Sequence, residues 1–574
     1  MLFSLYFLLN YTVNGQVDKP SLVDKYILLA KTHSNVFYFS PEENTRVLND
    51  KKLLTMCVDE LYNKAEGIGP ATYYIRKYYE PLCLWKYYSI GSSANPEKLK
   101  LGIKEKYLSY SKGKRKNYNG YQLDSLDNIK YELDLLTKKE IELNIDKLIL
   151  DDTLLPSLGF YMPLFQDSAK FHQTVSISKR DLIKKVQLFN SSVYLKKHTE
   201  VANISDYIYA WSILKLFYPY QDKVKINWNT CLKKSLNNIL VNHKTAEQQI
   251  QLLLSEIKDG HGRYFKKRVS NQELYSGPFK IRKKNERFFI YNSLDQKFQD
   301  EDEILSIDGE NIVHLYKKSF SEIAGSPQWR NFITTYDRLS FHNKGTLHDC
   351  VIKRGTEIKK LKYIADYPPK YSQEANLKHL IKDQIAYFNL NLIDFDFFRK
   401  KMDSINEYKQ VNSIVFDLRF YPNHELVDFI SSITKDTIYS DNFISPKIMD
   451  PYSSRDISFI GNGIKEHWTI TPSAYRINKP VYFLISSGSQ SYSESIISMV
   501  KENNLGTLIG ERTAGCNGDM GVVILPSNNL FYFTTRYTQT QSKSCYFING
   551  IEPDIYVKNI NTISLEKILN IVNE

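Results

Sequence analysis

Ser491 lies between two segments of different pattern. Before it, 480–486 (PVYFLIS) is an apolar, strand-like run, and after it a helical pattern begins near Glu494. A serine at such a strand-to-helix turn presents its hydroxyl beside the backbone N–H groups of a helix start, which suits a nucleophile whose reaction builds an oxyanion. Ser491 and Glu494 are also spaced as a capping box, in which the serine only caps the helix. This segment alone therefore allows both interpretations.

His261 is the second residue that could do chemistry, because imidazole titrates near neutral pH. It follows a predicted helix that begins with the capping-box pair Thr245 and Gln248 and carries apolar residues at helical spacing. Asp259 and Gly260 end this helix. The sequence predicts that His261 is delivered at the end of a well-anchored helix, in either a structural or a catalytic role.

The pattern along the chain predicts several folding units. Helical and strand-like patterns are mixed in 16–199, helices dominate 200–270, short strands fill 271–370, and strands alternate with helices in 371–574. Alternation of this kind is typical of βαβ units and of a partly parallel sheet, in which functional residues collect beyond the carboxyl ends of the strands. Both 419–423 and 486–491 are expected there. A chain of 574 residues is also too long for one core.

The composition is that of a globular protein, with 42% hydrophobic and 24% charged residues. The net charge of +12 is spread along the chain. One concentrated basic run, 104–116 (KEKYLSYSKGKRK), is interpreted as a solvated face or loop rather than a nucleic-acid patch. We therefore predict no nucleic-acid partner.

The N-terminal residues 1–15 have the pattern of a secretory signal peptide. An uncharged apolar run ends in VNG at 13–15, before a possible cleavage site at Gln16, and a buried strand or a short membrane anchor is the alternative. No later stretch approaches the ~18 apolar residues of a membrane-spanning helix. The six cysteines lack CxxC or Cys/His spacing, which predicts neither a zinc site nor a disulfide framework. Export would permit a pairing such as Cys516 with Cys545.

Six phrases in the part of the chain from 206 to 563 together resemble the tail-specific, or C-terminal processing, serine peptidases. Their order and spacing agree with that family. In its lysine-dependent branch the base follows the nucleophile by about 25 positions, and this chain has Cys516 there, so the resemblance is to the tricorn-like branch without a catalytic lysine. The phrases are DGHG (259–262), EDEILSIDG (301–309), DLRFYPN (417–423), SYSE (491–494), IGERTAG (509–515) and GIEPDI (550–555).

The resemblance implies a multidomain α/β and α+β fold. Residues 371–574 would form a crotonase-like (ClpP-like) sheet-and-helix core, 271–370 a PDZ-like β module, 200–270 a helical segment, and 16–199 an N-terminal accessory domain of unknown role. A PDZ-like module binds the end of a substrate chain by strand addition. A degenerate structural module is the alternative for 271–370.

The resemblance also assigns roles to side chains. Ser491 would be the nucleophile, with Ser493 as second candidate, and His261 would be its base, because a serine hydroxyl needs a base within hydrogen-bond reach. Glu552 would orient the histidine, and Asp259 could fix the histidine loop instead.

Two backbone N–H groups are expected to stabilise the oxyanion. Tyr492, at the helix start, would supply one of them. Asn423 would supply the other, because Pro422 has no N–H.

The function that the resemblance implies is that of an exported serine endopeptidase, periplasmic or secreted. It would hydrolyse peptides or partly unfolded proteins through an acyl-enzyme, without a metal or organic cofactor. A catalytically inactive relative that binds envelope proteins or ligands is the alternative. Cys516 as nucleophile is a third interpretation, which is disfavoured because no histidine follows it in the chain.

Overall fold

The structure is a computed structural model, and the expected signal peptide at 1–15 lies outside its described residues. It describes the residues 22–39, 49–66, 68–82, 86–89, 106–114, 129–137, 149–155, 158–163, 165–167, 177–266, 274–368, 377–404, 410–445, 447–448 and 464–573.

The N-terminal region combines helices with two small antiparallel sheets. The strand-like alternation of the sequence at 128–150 corresponds to strands that begin at 129 and 149. The helices are α1 Asp24–Phe39, α2 Asp50–Lys64, α3 Ile68–Tyr79, α4 Ile177–Leu188 and α5 Ser191–Leu195, and the strands are β1 Lys86–Ser89, β2 Lys106–Lys114, β3 Ile129–Thr137, β4 Ile149–Leu155, β5 Leu158–Pro163 and β6 Phe165–Asp167.

Three helices follow, α6 Thr199–Phe217, α7 Trp228–Leu240 and α8 Ala246–Glu256. Helix α6 is apolar on nearly all sides and is correspondingly buried. The capping box predicted for α8 is present, because Gln248 N–H donates to Thr245 Oγ1 at 3.3 Å and Thr245 N–H donates to Gln248 Oε1 at 3.2 Å. This cap fixes the start of the helix that leads to His261.

The largest cluster of buried side chains joins regions that are far apart in the chain. It combines α1–α4 and α6–α8 with residues from 523 to 547. The N-terminal helices therefore have no core of their own within the described residues, and they pack in one body with the helical segment and with part of the C-terminal region.

The segment 274–364 is rich in strands and has a separate core, which includes Phe288, Ile304 and Ile352. An antiparallel sheet in the order β15-β14-β11-β10-β9 forms its main layer, and β12 pairs with β11. Its elements, after β7 Arg263–Phe265, are β8 Leu274–Ser276, β9 Lys280–Lys284, β10 Arg287–Tyr291, β11 Glu303–Ile307, β12 Glu310–Asn311, α9 Ile312–Glu322, α10 Pro327–Ile333 with a π-helical turn at Thr334–Arg338, β13 Phe341–Asn343, β14 Leu347–Arg354 and β15 Glu357–Ile364.

The C-terminal region is built on a six-stranded sheet in the order β16-β17-β18-β24-β25-β29. Its first pair is antiparallel, and the other pairs are parallel. The elements are β16 His379–Lys382, β17 Ile385–Asn389, α11 Phe395–Met402, β18 Ser413–Asp417, α12 Val427–Ile433, β19 Ile438–Tyr439, β20 Asn442–Ser445, β21 Lys447–Ile448, β22 Ile464–Glu466, β23 Thr469–Ile470, β24 Val481–Ile485, α13 Tyr492–Glu502, β25 Thr507–Gly510, β26 Met520–Ile524, β27 Leu530–Thr534, β28 Tyr537–Gln539, β29 Ile555–Tyr556 and α14 Leu565–Asn573.

This sheet confirms the predicted mixed α/β architecture. Strands β18 and β24 are parallel neighbours, with Phe416 beside Phe483, so the segments after them meet at one edge of the sheet. Apolar clusters cover both faces of the sheet, as expected for parallel strands. Helix α13 begins two residues before the predicted start at Glu494.

Cys516 and Cys545 are both free thiols, so the pairing that export would permit is not formed. Among the described residues, none of the helices has the length and apolar character needed to cross a lipid bilayer.

Candidate active site at the strand-to-helix turn

Ser491 has an unusual backbone conformation, with φ 56° and ψ −111°. An ordinary N-cap residue has an extended backbone, and its side chain accepts a hydrogen bond from the first turn. Ser491 and Glu494 form a capping box, in which Glu494 Oε2 accepts from Ser491 N–H at 3.3 Å. The capping interpretation thus accounts for the pairing of these two residues, but not for the backbone conformation of Ser491.

Other serines of the turn hold it against the segment that follows β18. Ser486 Oγ donates to the Arg419 carbonyl at 2.7 Å, and Ser489 Oγ donates to the Leu418 carbonyl at 2.6 Å. Ser493 Oγ donates to the Phe420 carbonyl at 3.1 Å, and this residue is fully buried. Ser493 therefore has a structural partner, whereas Ser491 is partly exposed.

Glu494 joins the turn at Ser491 to a second loop, 513–516. Its buried carboxylate accepts from the Thr513 hydroxyl at 2.5 Å, from Gly515 N–H at 2.7 Å and from Cys516 N–H at 2.9 Å. Burial raises the pKa of Glu494 to about 7, although these donors oppose the shift. The Cys516 carbonyl in turn accepts from Ser491 N–H at 3.0 Å.

Strand pairing and a close backbone contact bring the segment that carries His261 to the residues around Ser491. Strands β7 and β27 are antiparallel with Tyr532 opposite Arg263, and the same register continued by two residues sets Thr534 opposite His261. The neighbouring Gly260 carbonyl accepts from Gln490 Nε2 at 3.0 Å. The histidine segment therefore touches the residue before Ser491.

Gly260 is needed for this approach. A Cβ at Gly260 would lie 2.6 Å from Cys516 Cβ and 2.8 Å from Cys516 Sγ, which is too close for any side chain. Gly260, which was predicted to end the helix, thus also allows the segment around His261 to pack on the loop 513–516.

The imidazole of His261 is oriented by a threonine and an aspartate. His261 Nδ1 lies 2.8 Å from Thr534 Oγ1, and Thr534 Oγ1 donates to Asp259 Oδ1 at 2.6 Å. Thr534 N–H donates to Asp259 Oδ2 at 2.6 Å, and His261 N–H donates to Asp259 Oδ1 at 3.0 Å. Because an ionised carboxylate only accepts, the threonine hydroxyl must accept the proton of His261 Nδ1–H. This arrangement leaves Nε2 unprotonated.

Burial governs the charge states of these groups. It lowers the pKa of His261 to about 4, assisted by the charge of Arg263, so the imidazole is neutral at pH 7. It raises the pKa of Asp259 to about 6, against the hydrogen bonds from Thr534 and His261. At neutral pH the site therefore combines a neutral imidazole with an ionised carboxylate.

Glu552 is not within hydrogen-bond reach of the His261 ring. Its half-exposed carboxylate pairs with Arg512, and its carbonyl accepts from Lys501 Nζ at 2.6 Å. Asp259, the alternative in the sequence, has the position expected of the orienting carboxylate. The threonine between Asp259 and the imidazole was not anticipated, because nothing in the local sequence of β27 connects it with a histidine 273 residues away.

Of the two expected oxyanion donors, one follows Ser491 in the chain and the other lies in the loop after the neighbouring strand. Tyr492 is the first residue of α13, directly after Ser491. Asn423 lies in the loop after β18, the strand next to β24, and its side-chain amide donates to the Asn391 carbonyl at 2.7 Å.

Comparisons with known proteins give a family match and similar folds. Residues 384–557 match the model described as peptidase family S41. The structure of mature CPAF complexed with lactacystin is similar with a TM-score of 0.50 at 12% identity, covering 65% of this chain and 98% of that one. The photosystem II D1 C-terminal processing protease aligns with a TM-score of 0.38 at 13% identity, over 61% of this chain and 92% of that one. Comparison with curated protein sequences gives no match.

The family match covers five of the six strands of the sheet, the turn at Ser491 and the loop that Glu494 holds. A peptidase acts on peptides or proteins. Residues 384–557 thus match peptidase family S41, and the chain is a serine-type peptidase.

Proposed function

We propose that the protein is an exported serine endopeptidase in which Ser491 attacks the scissile carbonyl and His261 takes up its proton. The backbone of Ser491 is the observation that carries this proposal. A non-glycine residue at φ 56° and ψ −111° costs on the order of 1–3 kcal/mol, and such strain persists at functional sites where the surrounding structure enforces it. A serine that served only as a helix cap would have no need of this conformation.

The order of chemical events follows from the hydrogen bonds. With its proton on Nδ1, His261 offers a lone pair at Nε2 to the Ser491 hydroxyl, and the imidazolium that forms then protonates the leaving amine. Water, activated by the same imidazole, hydrolyses the acyl-enzyme. Asp259 stabilises the transient positive charge through Thr534.

The absence of a lysine at position 516 supports the tricorn-like assignment, because the histidine takes over the role of the base. The tetrahedral intermediate would be stabilised by the N–H groups of Tyr492 and Asn423. The six-stranded sheet would be the crotonase-like core. Residues 274–364, with their own core and antiparallel sheet, would be a PDZ-like module that binds the end of a substrate chain.

The inactive-relative alternative is disfavoured by the same contacts. A protein that only binds ligands has no need of a neutral, oriented histidine and a strained serine on two segments that are in contact. Export is inferred from the N-terminal pattern alone.

Labelling with a fluorophosphonate probe tests the proposed function directly. We expect the probe to modify the protein and peptide mapping to find the adduct on Ser491, because only an activated serine hydroxyl reacts at neutral pH. An adduct on Ser493, or a protein that remains unlabelled while it is folded, would refute the assignment.

Thr534 gives a second prediction. Thr534→Val removes the hydroxyl that holds the proton on Nδ1 at nearly constant volume, and we expect kcat/KM on an unfolded protein substrate to fall about 10²-fold. Thr534→Ser keeps the hydroxyl and is the matched control, with activity near that of the wild type. Equal losses in the two variants would show that packing, and not the hydroxyl, matters at this position.

A further inference from the structure

Three side chains of types that can bind metal ions lie close together in the candidate site, and His261 is one of them. The Asp259 carboxylate, a ring nitrogen of His261 and Cys516 Sγ lie within 4.8 Å of one another, and all three residues are buried. Cys516 Sγ is 3.2 Å from His261 Nδ1. The proposed hydrolysis uses the imidazole and the carboxylate, but no step of it uses the thiol.

We propose that Asp259, His261 and Cys516 form a binding site for Zn²⁺, and that zinc bound there switches the peptidase off. The donor set is the one that zinc prefers, and a thiolate favours zinc over magnesium or calcium. A tetrahedral site with Zn–S of about 2.3 Å and Zn–N of about 2.0 Å has an S···N edge of about 3.5 Å. The observed separation is close to this edge.

The Thr534 hydroxyl marks the place where the cation would bind. It lies 2.8 Å from His261 Nδ1 and 2.6 Å from Asp259 Oδ1, so it is already the shared partner of two of the three donors. When Thr534 adopts another side-chain rotamer, zinc would replace its hydroxyl as the shared partner of His261 Nδ1 and Asp259 Oδ1. A water molecule would complete the tetrahedron.

Binding exchanges protons for the metal. The thiol of Cys516 must lose its proton to become a ligand. The ring proton of His261 must move from Nδ1 to Nε2, so that Nδ1 can bind the metal.

That transfer is the reason for inhibition, a consequence that rests on the proposed function. Zinc on Nδ1 leaves the ring proton on Nε2, so His261 has no lone pair with which to accept the Ser491 proton. Zinc binding and general-base catalysis are thus mutually exclusive at this imidazole.

The test begins with binding, which is independent of activity. Metal-free full-length protein is titrated with zinc in competition with a fluorescent chelator, as wild type, Ser491→Ala and Cys516→Ser. We expect a single zinc ion in the wild type and in Ser491→Ala, and an affinity about tenfold or more weaker in Cys516→Ser. Cys231→Ser is the matched control, because this partly exposed thiol lies 2.9 Å from Glu256 and is not a member of the cluster of Asp259, His261 and Cys516.

Inhibition is measured separately, with each variant compared with its own metal-free rate. We expect zinc to inhibit the wild type and Cys231→Ser about tenfold or more, and Cys516→Ser less than about twofold. Cys516→Ala serves as a second variant if the serine substitution unfolds the protein.

Two results would overturn the proposal. One is a wild type that binds no stoichiometric zinc, and the other is a Cys516→Ser variant that binds it as tightly as the wild type does. Zinc binding that depends on Cys516 in a protein without peptidase activity would support the metal site and refute the proposed function, so the two failures are distinguishable.

Discussion

Ser491→Gly is expected to fold as the wild type does and to lose peptide hydrolysis, with kcat/KM lower by about 10⁴-fold or more. Glycine adopts φ 56° and ψ −111° without the penalty that a Cβ incurs, so the free energy of unfolding should remain the same or increase. The variant lacks only the hydroxyl. Hydrolysis of an unfolded protein substrate and thermal unfolding are the two measurements.

Ser491→Ala is the matched comparison for this experiment. It also lacks the hydroxyl but keeps the Cβ at the strained position, so we expect it to be as inactive as Ser491→Gly and less stable. Wild-type turnover by either variant would show that another residue is the nucleophile.

Asp259→Asn is expected to lower kcat/KM by about 10³- to 10⁴-fold. The asparagine amide can donate to Thr534 Oγ1, which would then donate its own proton to His261 Nδ1 and leave the ring proton on Nε2. The wild type should reach the same state when Asp259 is protonated. Since the pKa of Asp259 is raised to about 6, activity should be full above this pH and fall below it, well before His261 itself becomes charged.

Glu552→Gln is the control for the choice of carboxylate. Because the Glu552 side chain pairs with Arg512 at the surface, we expect its loss to change kcat/KM by less than about threefold. The pH profile and the ¹⁵N NMR shifts of the His261 ring report the tautomer in each variant. A large loss in Glu552→Gln with a small one in Asp259→Asn would reverse the assignment.

Much of the C-terminal fold could be predicted from the sequence because its signals are local. The alternation of apolar strands and amphipathic helices predicted βαβ units, and the structure has β18 and β24 as parallel neighbours. Thr245 and Gln248 predicted a capping box that is present. By contrast, the periodicity in 16–199 did not indicate that these helices share one core with residues from 523 to 547, because that packing depends on contacts distant in sequence.

The candidate site was also predictable only where its signals are local. Ser491 and His261 follow local motifs, a strand-to-helix turn and a helix end, and both could be singled out. Thr534 and Cys516 could not be assigned to the histidine, because strand pairing and the close approach of Gly260 bring them there from 273 and 255 residues away. The CxxC and Cys/His spacing rules likewise did not indicate this cluster, because they apply only to metal ligands that are close in sequence.

The pairing of β7 with β27 also has a consequence for the timing of activity. Residues 384–557, which match the model of peptidase family S41, contain Ser491 but neither His261 nor Asp259. During synthesis, the strand that seats the histidine is made some 270 residues after the histidine itself, and contacts of such long range form late. With His261 as the proposed base, a ribosome-bound chain carries this base unseated while the next 273 residues are made, and we expect the growing polypeptide to be inactive before β27 has emerged.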